Sequence, residues 1–146
     1  MMTLIVLFVS LFVFRGLGVL GVPLFLTWHD SALWALSVMV LFTASAHFTA
    51  LKEDLIKMVP SFIPAPRHIV FITGLLEIAG AVGLLIPPVR MAAGICLALL
   101  FVVMFPANIK AALRQVPLRG RPATPLWLRF PMQVLLIALA VWIALE

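Results

Sequence analysis

Charge is scarce in this sequence. Only 10% of its 146 residues are charged, five of them acidic, whereas about a quarter of an ordinary soluble domain is charged. No water-facing surface can be assembled from so few polar side chains, which excludes a soluble globule. There is one cysteine, Cys96, within an apolar run. A single thiol excludes an internal disulfide framework and a C-x-x-C redox pair, and its setting predicts a small apolar residue in a helix interface. No Lys or Arg precedes Arg15, and no A-x-A pattern follows the first apolar stretch. That argues for a retained transmembrane helix rather than a cleaved secretory signal. Nothing alternates with the period of a membrane strand, and no phosphate loop, nucleophile triad or nucleic-acid motif is present.

What is present is apolar: 65% of the chain. A helix needs about 20 mainly apolar residues to cross a hydrocarbon core of about 30 Å. Five segments satisfy this, at 3–26, 31–51, 68–86, 91–109 and 126–145. Trp28-His29-Asp30 and the proline-bearing stretches 60–66, 87–88 and 117–125 are expected to interrupt them. The fold class is therefore all-α, a polytopic transmembrane helical bundle. Residues 52–59 read as a short amphipathic helix, with Leu55, Ile56 and Val59 opposite Lys52, Glu53 and Lys57. The segment 52–67 is expected to lie in the membrane interface.

The net charge of +5 and pI near 10.8 do not point to nucleic acid, because the cations are confined to short stretches between apolar runs. They fit membrane lipids as partners, with anionic headgroups drawn to the cations of 110–121. In a five-helix arrangement Lys52, Lys57, Arg67, Lys110, Arg114, Arg119, Arg121 and Arg129 fall on one side and Arg90 alone on the other. This asymmetry predicts a cytoplasmic N-terminus and an extracytoplasmic C-terminus in a bacterial-type plasma (inner) membrane. Trp28, Trp34 and Trp142 then mark the outer boundary and Trp127 the inner one.

Ionisable groups inside hydrocarbon cost roughly 2.5–3.5 kcal/mol at mid-helix on insertion scales, so each needs a reason. Glu77 shares a helix face with Thr73, Gly74, Gly80 and Ala81, which directs it at a neighbouring helix. Arg15, taken as mid-depth in the first segment, is the cation expected to pair with it. The pair reads either as a proton-linked or ligand-binding site or as a structural clasp. His47, Asn108 and Gln133 fall at a common depth near the cytoplasmic ends of their helices. Pro106, a helix break, frees a backbone carbonyl one turn earlier. These residues form a candidate shallow pocket with Arg129 at its rim, suited to a quinone or an anionic lipid headgroup; simple interhelical hydrogen bonding is the alternative. His47, Glu53, Asp54 and His68 match no helical metal-ligand spacing, so no metal site is expected.

Several short runs also follow a known order. His47-Phe48, Met58-Val59-Pro60, Pro64-Ala65-Pro66, Thr73-Gly74-Leu75-Leu76-Glu77 with Gly80 and Gly83-Leu84-Leu85, then Pro87, Arg90 and Ala93-Gly94, are continued by Phe105-Pro106-Ala107-Asn108-Ile109, Leu128-Arg129 and Pro131-Met132-Gln133. From about 33 to 145 this pattern resembles the DoxX-like family of small integral membrane proteins. The resemblance implies a four-helix core over 31–146, with an extra N-terminal transmembrane helix at 1–30. It also implies that His47, Glu77, Asn108 and Gln133 are recurrent polar positions. Members of the family include membrane subunits linked to thiosulfate:quinone oxidation, proteins of thiol-redox complexes and assembly chaperones. The implied function is a non-catalytic membrane subunit or assembly partner of a redox-linked complex. The alternatives are a quinone- or lipid-binding protein and a small proton-coupled transporter; no cofactor is expected unless the quinone-binding alternative holds.

Overall fold

The computed structural model describes residues 2–117, 120 and 124–146, which form helices joined by turns and short loops, with no strand among them. Six α-helices follow in order: α1 (Met2–Val19), α2 (Trp28–Ala44), α3 (Lys52–Met58), α4 (Pro66–Leu84), α5 (Arg90–Leu113) and α6 (Leu126–Leu145). Short 3₁₀ turns occupy Pro23–Phe25, Ser45–Phe48 and Pro87–Val89. Five helical stretches are long and apolar enough to cross a membrane: Met2–Val19, Trp28–Phe48, Pro66–Leu84, Pro87–Leu113 and Leu126–Leu145. The protein is thus a multi-pass helical membrane protein.

Local chemistry sets the helix ends, and some differ from those expected. α1 stops at Val19, not at 26, because Gly21 adopts φ +92°. The Gly21 amide donates to Gly18 and the Val22 amide to Leu17, closing the helix in a Schellman motif that glycine permits without strain. Trp28-His29-Asp30 do not interrupt a helix; they are the first turn of α2. The Thr27 side chain accepts from the Asp30 amide at 3.0 Å and its hydroxyl donates to the Asp30 carboxylate at 2.7 Å, an N-cap with an acid at the positive helix end. α4 starts with Pro66 in its first turn, where the missing N–H costs nothing. Arg90 reaches back from the start of α5 and donates to the Leu84 carbonyl at 3.0 Å, serving a helix end that has no further turn to do so.

α5 passes through Pro106 without ending and continues to Leu113, so the expected helix break is not there. Pro106 removes the donor to the Val102 carbonyl. The neighbouring Phe101 carbonyl receives the side-chain amide of Gln133 from α6. In hydrocarbon, where no water can serve exposed backbone, keeping the helix is the cheaper response to a proline.

α2 is the central helix, with Ala35, Leu36, Val40 and Ala44 fully buried. α1, α4 and α6 pack on it, and α5 joins α4 to α6 through small residues. A side chain at Gly80 would run into Leu97, one at Gly83 into Ala93, and one at Gly94 into Ala144 and the Ala140 carbonyl. Such contacts let backbones approach closely where lipid provides no hydrophobic driving force. α1 lies chiefly on α2 and buries only Leu7 and Gly18 of its own residues. Phe14, Phe25 and Trp34 hold it there, with ring centroids 4.7 to 6.4 Å apart. Trp34 is half-buried and packs within this aromatic cluster. Cys96 is exposed on α5 and not in a helix interface.

α3 runs over Lys52–Met58, close to the expected 52–59, with Lys52, Glu53 and Lys57 exposed and Met58 and Val59 buried. Lys110 of α5 donates to the Val59 carbonyl and ties this short helix to the bundle.

Gly94→Val places its branched side chain against Ala144, where the first added atom already stands 2.7 Å from the alanine Cβ. It is expected to destabilise the α5–α6 pair by about 1–3 kcal/mol, seen as a lower thermal midpoint in mild detergent. Gly16→Ala meets nothing within 4 Å and should leave the midpoint unchanged or raise it.

Candidate functional site

Only four polar side chains are fully buried among the described residues: Ser31, Ser37, His47 and Glu77. The two serines are satisfied by carbonyls of Phe25, Thr27 and Leu33. His47 and Glu77 face one another. His47 stands in the 3₁₀ turn that follows α2, and its ring is received by α4 because Gly74 lies opposite; a Cβ there would be 2.6 Å from the histidine Cβ. Nδ1 of His47 lies 2.6 Å from the Val70 carbonyl oxygen and 3.3 Å from the Thr73 hydroxyl. Nε2 points the other way, 3.7 Å from Oε2 of Glu77. The Thr43 hydroxyl lies beside the same carboxyl, yet Oε2 has no hydrogen bond.

A carbonyl oxygen can only accept, so Nδ1 must carry a hydrogen. The backbone of α4 thereby selects the histidine tautomer and aims the second nitrogen at Glu77.

His47 also forms part of the wall of a groove of about 290 Å³. Phe48, Ile56, Val70 and Phe71 supply its apolar surface, and Lys52, Glu53 and Arg67 its charge. Phe48 and Phe71 meet edge to face at 5.7 Å. The groove is thus built by the end of α2, by α3 and by the start of α4, with an amphiphilic lining: cations and an acid from the helix ends, aromatic walls, and a buried histidine backed by a carboxyl.

A second polar cluster joins α5 to α6. Arg129 donates to the Asn108 side-chain oxygen at 2.8 Å and to the Thr124 carbonyl at 3.0 Å; Gln133 serves the Phe101 carbonyl. Beside it Phe105, Ile109, Leu126, Trp127 and Phe130 line an apolar groove of about 450 Å³.

Residues 36–144 match the family model of a domain of unknown function, DUF8561. The chain belongs to this family. No curated protein and no solved structure matches it. The DUF8561 match begins inside α2 and takes in both polar clusters and the groove, leaving α1 and Arg15 outside.

Two expected groupings are not formed. Arg15 does not pair with Glu77: its guanidinium lies over the Trp28 ring, 5.3 Å from the centroid. Because α1 ends early, Arg15 is near its last turn and reaches an aromatic neighbour without crossing hydrocarbon. Nor do His47, Asn108 and Gln133 make one constellation. The structure sets His47 with Glu77 between α2 and α4, and Asn108 with Arg129 and Gln133 between α5 and α6. Topology supplies a residue's depth, but its angular position round the bundle depends on how the helices pack. The sequence placed Thr73 on the Glu77 face but gave no sign of its contact with His47, and Thr43 was overlooked. Each stands four residues before His47 or Glu77, a spacing that places side chains on one helical face.

Asn108→Leu removes an acceptor from the half-buried Arg129, and a loss of about 1.5–3 kcal/mol in stability is expected. Adding Arg129→Leu should recover much of it, because no unpaired charge then remains. A double-mutant cycle on thermal midpoints measures this.

Proposed function

We propose that this DUF8561 protein is a DoxX-like membrane subunit, non-catalytic by itself, whose own contribution is to bind an amphiphile, a quinone or an anionic lipid, in the groove between α2, α3 and α4. The observation that carries this reading is the groove's lining, in which Lys52 and Arg67 meet two phenylalanines and the buried His47, which Glu77 backs from outside the groove. Cations suit a headgroup with anionic or carbonyl oxygens, the aromatic walls suit a flat ring or the start of a chain, and His47 offers a polar contact in the wall. Redox chemistry, on this reading, belongs to a partner, since the chain has one thiol and it stands exposed on α5.

The proposed orientation has the N-terminus in the cytoplasm and the C-terminus outside, in a bacterial-type inner membrane. Among the described residues Lys52, Lys57, Arg67, Lys110, Arg114 and Arg129 fall at one end of the helix order and Arg15 and Arg90 at the other; Arg119 and Arg121 lie outside the described residues. The bias favours the cytoplasm for the end that carries the groove.

Purification in mild detergent followed by mass spectrometry of co-purifying lipids and quinones tests the reading, together with titration of a short-chain benzoquinone and of phosphatidylglycerol. Lys52→Gln and Arg67→Gln should each weaken binding by up to about tenfold, with folding unaffected because both side chains are exposed. Equal affinity in wild type and both variants would remove the groove from consideration. Proton-dependent flux in liposomes that Glu77→Gln abolishes would replace this reading by transport.

A further inference from the structure

We propose that His47 and Glu77 together form a one-proton site, a buried pair that holds a single exchangeable proton between Nε2 and Oε2 and exchanges it through the groove. This goes beyond the amphiphile reading and does not depend on which headgroup the groove takes.

The count follows from geometry. The Val70 carbonyl requires a hydrogen on Nδ1. With no further proton, the lone pair of Nε2 would face a carboxylate oxygen at 3.7 Å, two acceptors opposed and a net negative charge, with each side chain only 5% exposed. Burial makes that arrangement costly. With two further protons the pair would be an imidazolium beside a neutral acid, a net positive charge with no anion to answer it. One proton removes both problems: either Glu77 is a neutral acid donating to Nε2, or His47 is an imidazolium beside a carboxylate. Each form is neutral overall and differs from the other only in which side of the contact holds the proton, so the two groups titrate as a unit. A movement of about 0.8 Å closes Nε2 and Oε2 to the usual N–O hydrogen-bond length of about 2.9 Å.

The surroundings do not alter the count. Thr43 of α2 and Thr73 of α4 bring hydroxyls that stay neutral. The charged side chains that share the groove with His47 are Lys52 and Glu53 from α3 and Arg67 from α4, all exposed. No other charged side chain among the described residues is bonded to His47 or Glu77. Glu77 is 4% exposed and stands behind His47, which itself lines the groove. The way in and out for the proton is therefore through the groove that His47 and Ile56 both line.

The count is tested on the full chain in phosphatidylcholine nanodiscs at neutral pH. Ring nitrogen-15 shifts of His47 report its protonation, and the infrared carboxyl bands of carbon-13-labelled glutamate report that of Glu77. His29→Asn with His68→Asn, and Glu53→Gln with Glu146→Gln, leave His47 and Glu77 as the sole residues of their types, so neither member of the pair has to be mutated. A neutral imidazole protonated on Nδ1 with a protonated carboxyl supports the proposal, as does an imidazolium with a carboxylate. A neutral imidazole with a carboxylate, or an imidazolium with a protonated carboxyl, overturns it. Ile56→Trp should slow hydrogen–deuterium exchange at the pair by roughly tenfold; an unchanged rate overturns the groove as the route.

Discussion

Inside hydrocarbon no solvent completes a hydrogen bond, so each polar group that a helix leaves open must be met by another part of the same chain. The bundle answers this with side chains that reach across to a neighbour's backbone. Arg90 donates to Leu84, Lys110 to Val59, Gln133 to Phe101 and His47 to Val70. Leu84 and Val59 stand at helix ends, Phe101 lies beside the proline irregularity and Val70 lies within α4, and all four bonds join separate elements. The same bonds that satisfy the backbone therefore fix how the elements sit against each other.

Those bonds need the helices close together, and small residues provide the approach. Gly80, Gly83 and Gly94 bring α4, α5 and α6 into contact, while Gly74 does something different: it opens α4 to the His47 ring. A glycine that in one turn permits helix packing permits, two turns away, a polar residue to be buried. The site is thus continuous with the packing that stabilises the fold, and its preorganisation comes from the bundle and not from a flexible loop.

The groove follows from where α2 stops. The helix tightens into a 3₁₀ turn over Ser45–Phe48, the chain returns through the short α3, and α4 begins at a proline. Three element ends meet there, bringing exposed cations, aromatic rings and a buried histidine into one cavity. The proposed amphiphile binding rests on this lining, which offers both polar and apolar surroundings.

Much of this was legible in the sequence. Apolar run length is a one-dimensional property, so the all-helical class, the five spans, the full extent of α6 and the amphipathic α3 could be read from it directly. The choice of Glu77 as a buried, inward-facing group also followed, because its small neighbours at three- and four-residue spacing can face only another helix. Helix ends were less readable where a cap outweighed composition, as at Gly21 and Thr27, and Pro106 did not interrupt its helix. The partners were not readable at all. Depth in the membrane follows from position along the chain, but angle round the bundle is set by which small-residue faces interlock. That three-dimensional choice gave Glu77 to His47 instead of Arg15, and divided one expected polar pocket into a histidine–glutamate pair and an arginine–asparagine clasp.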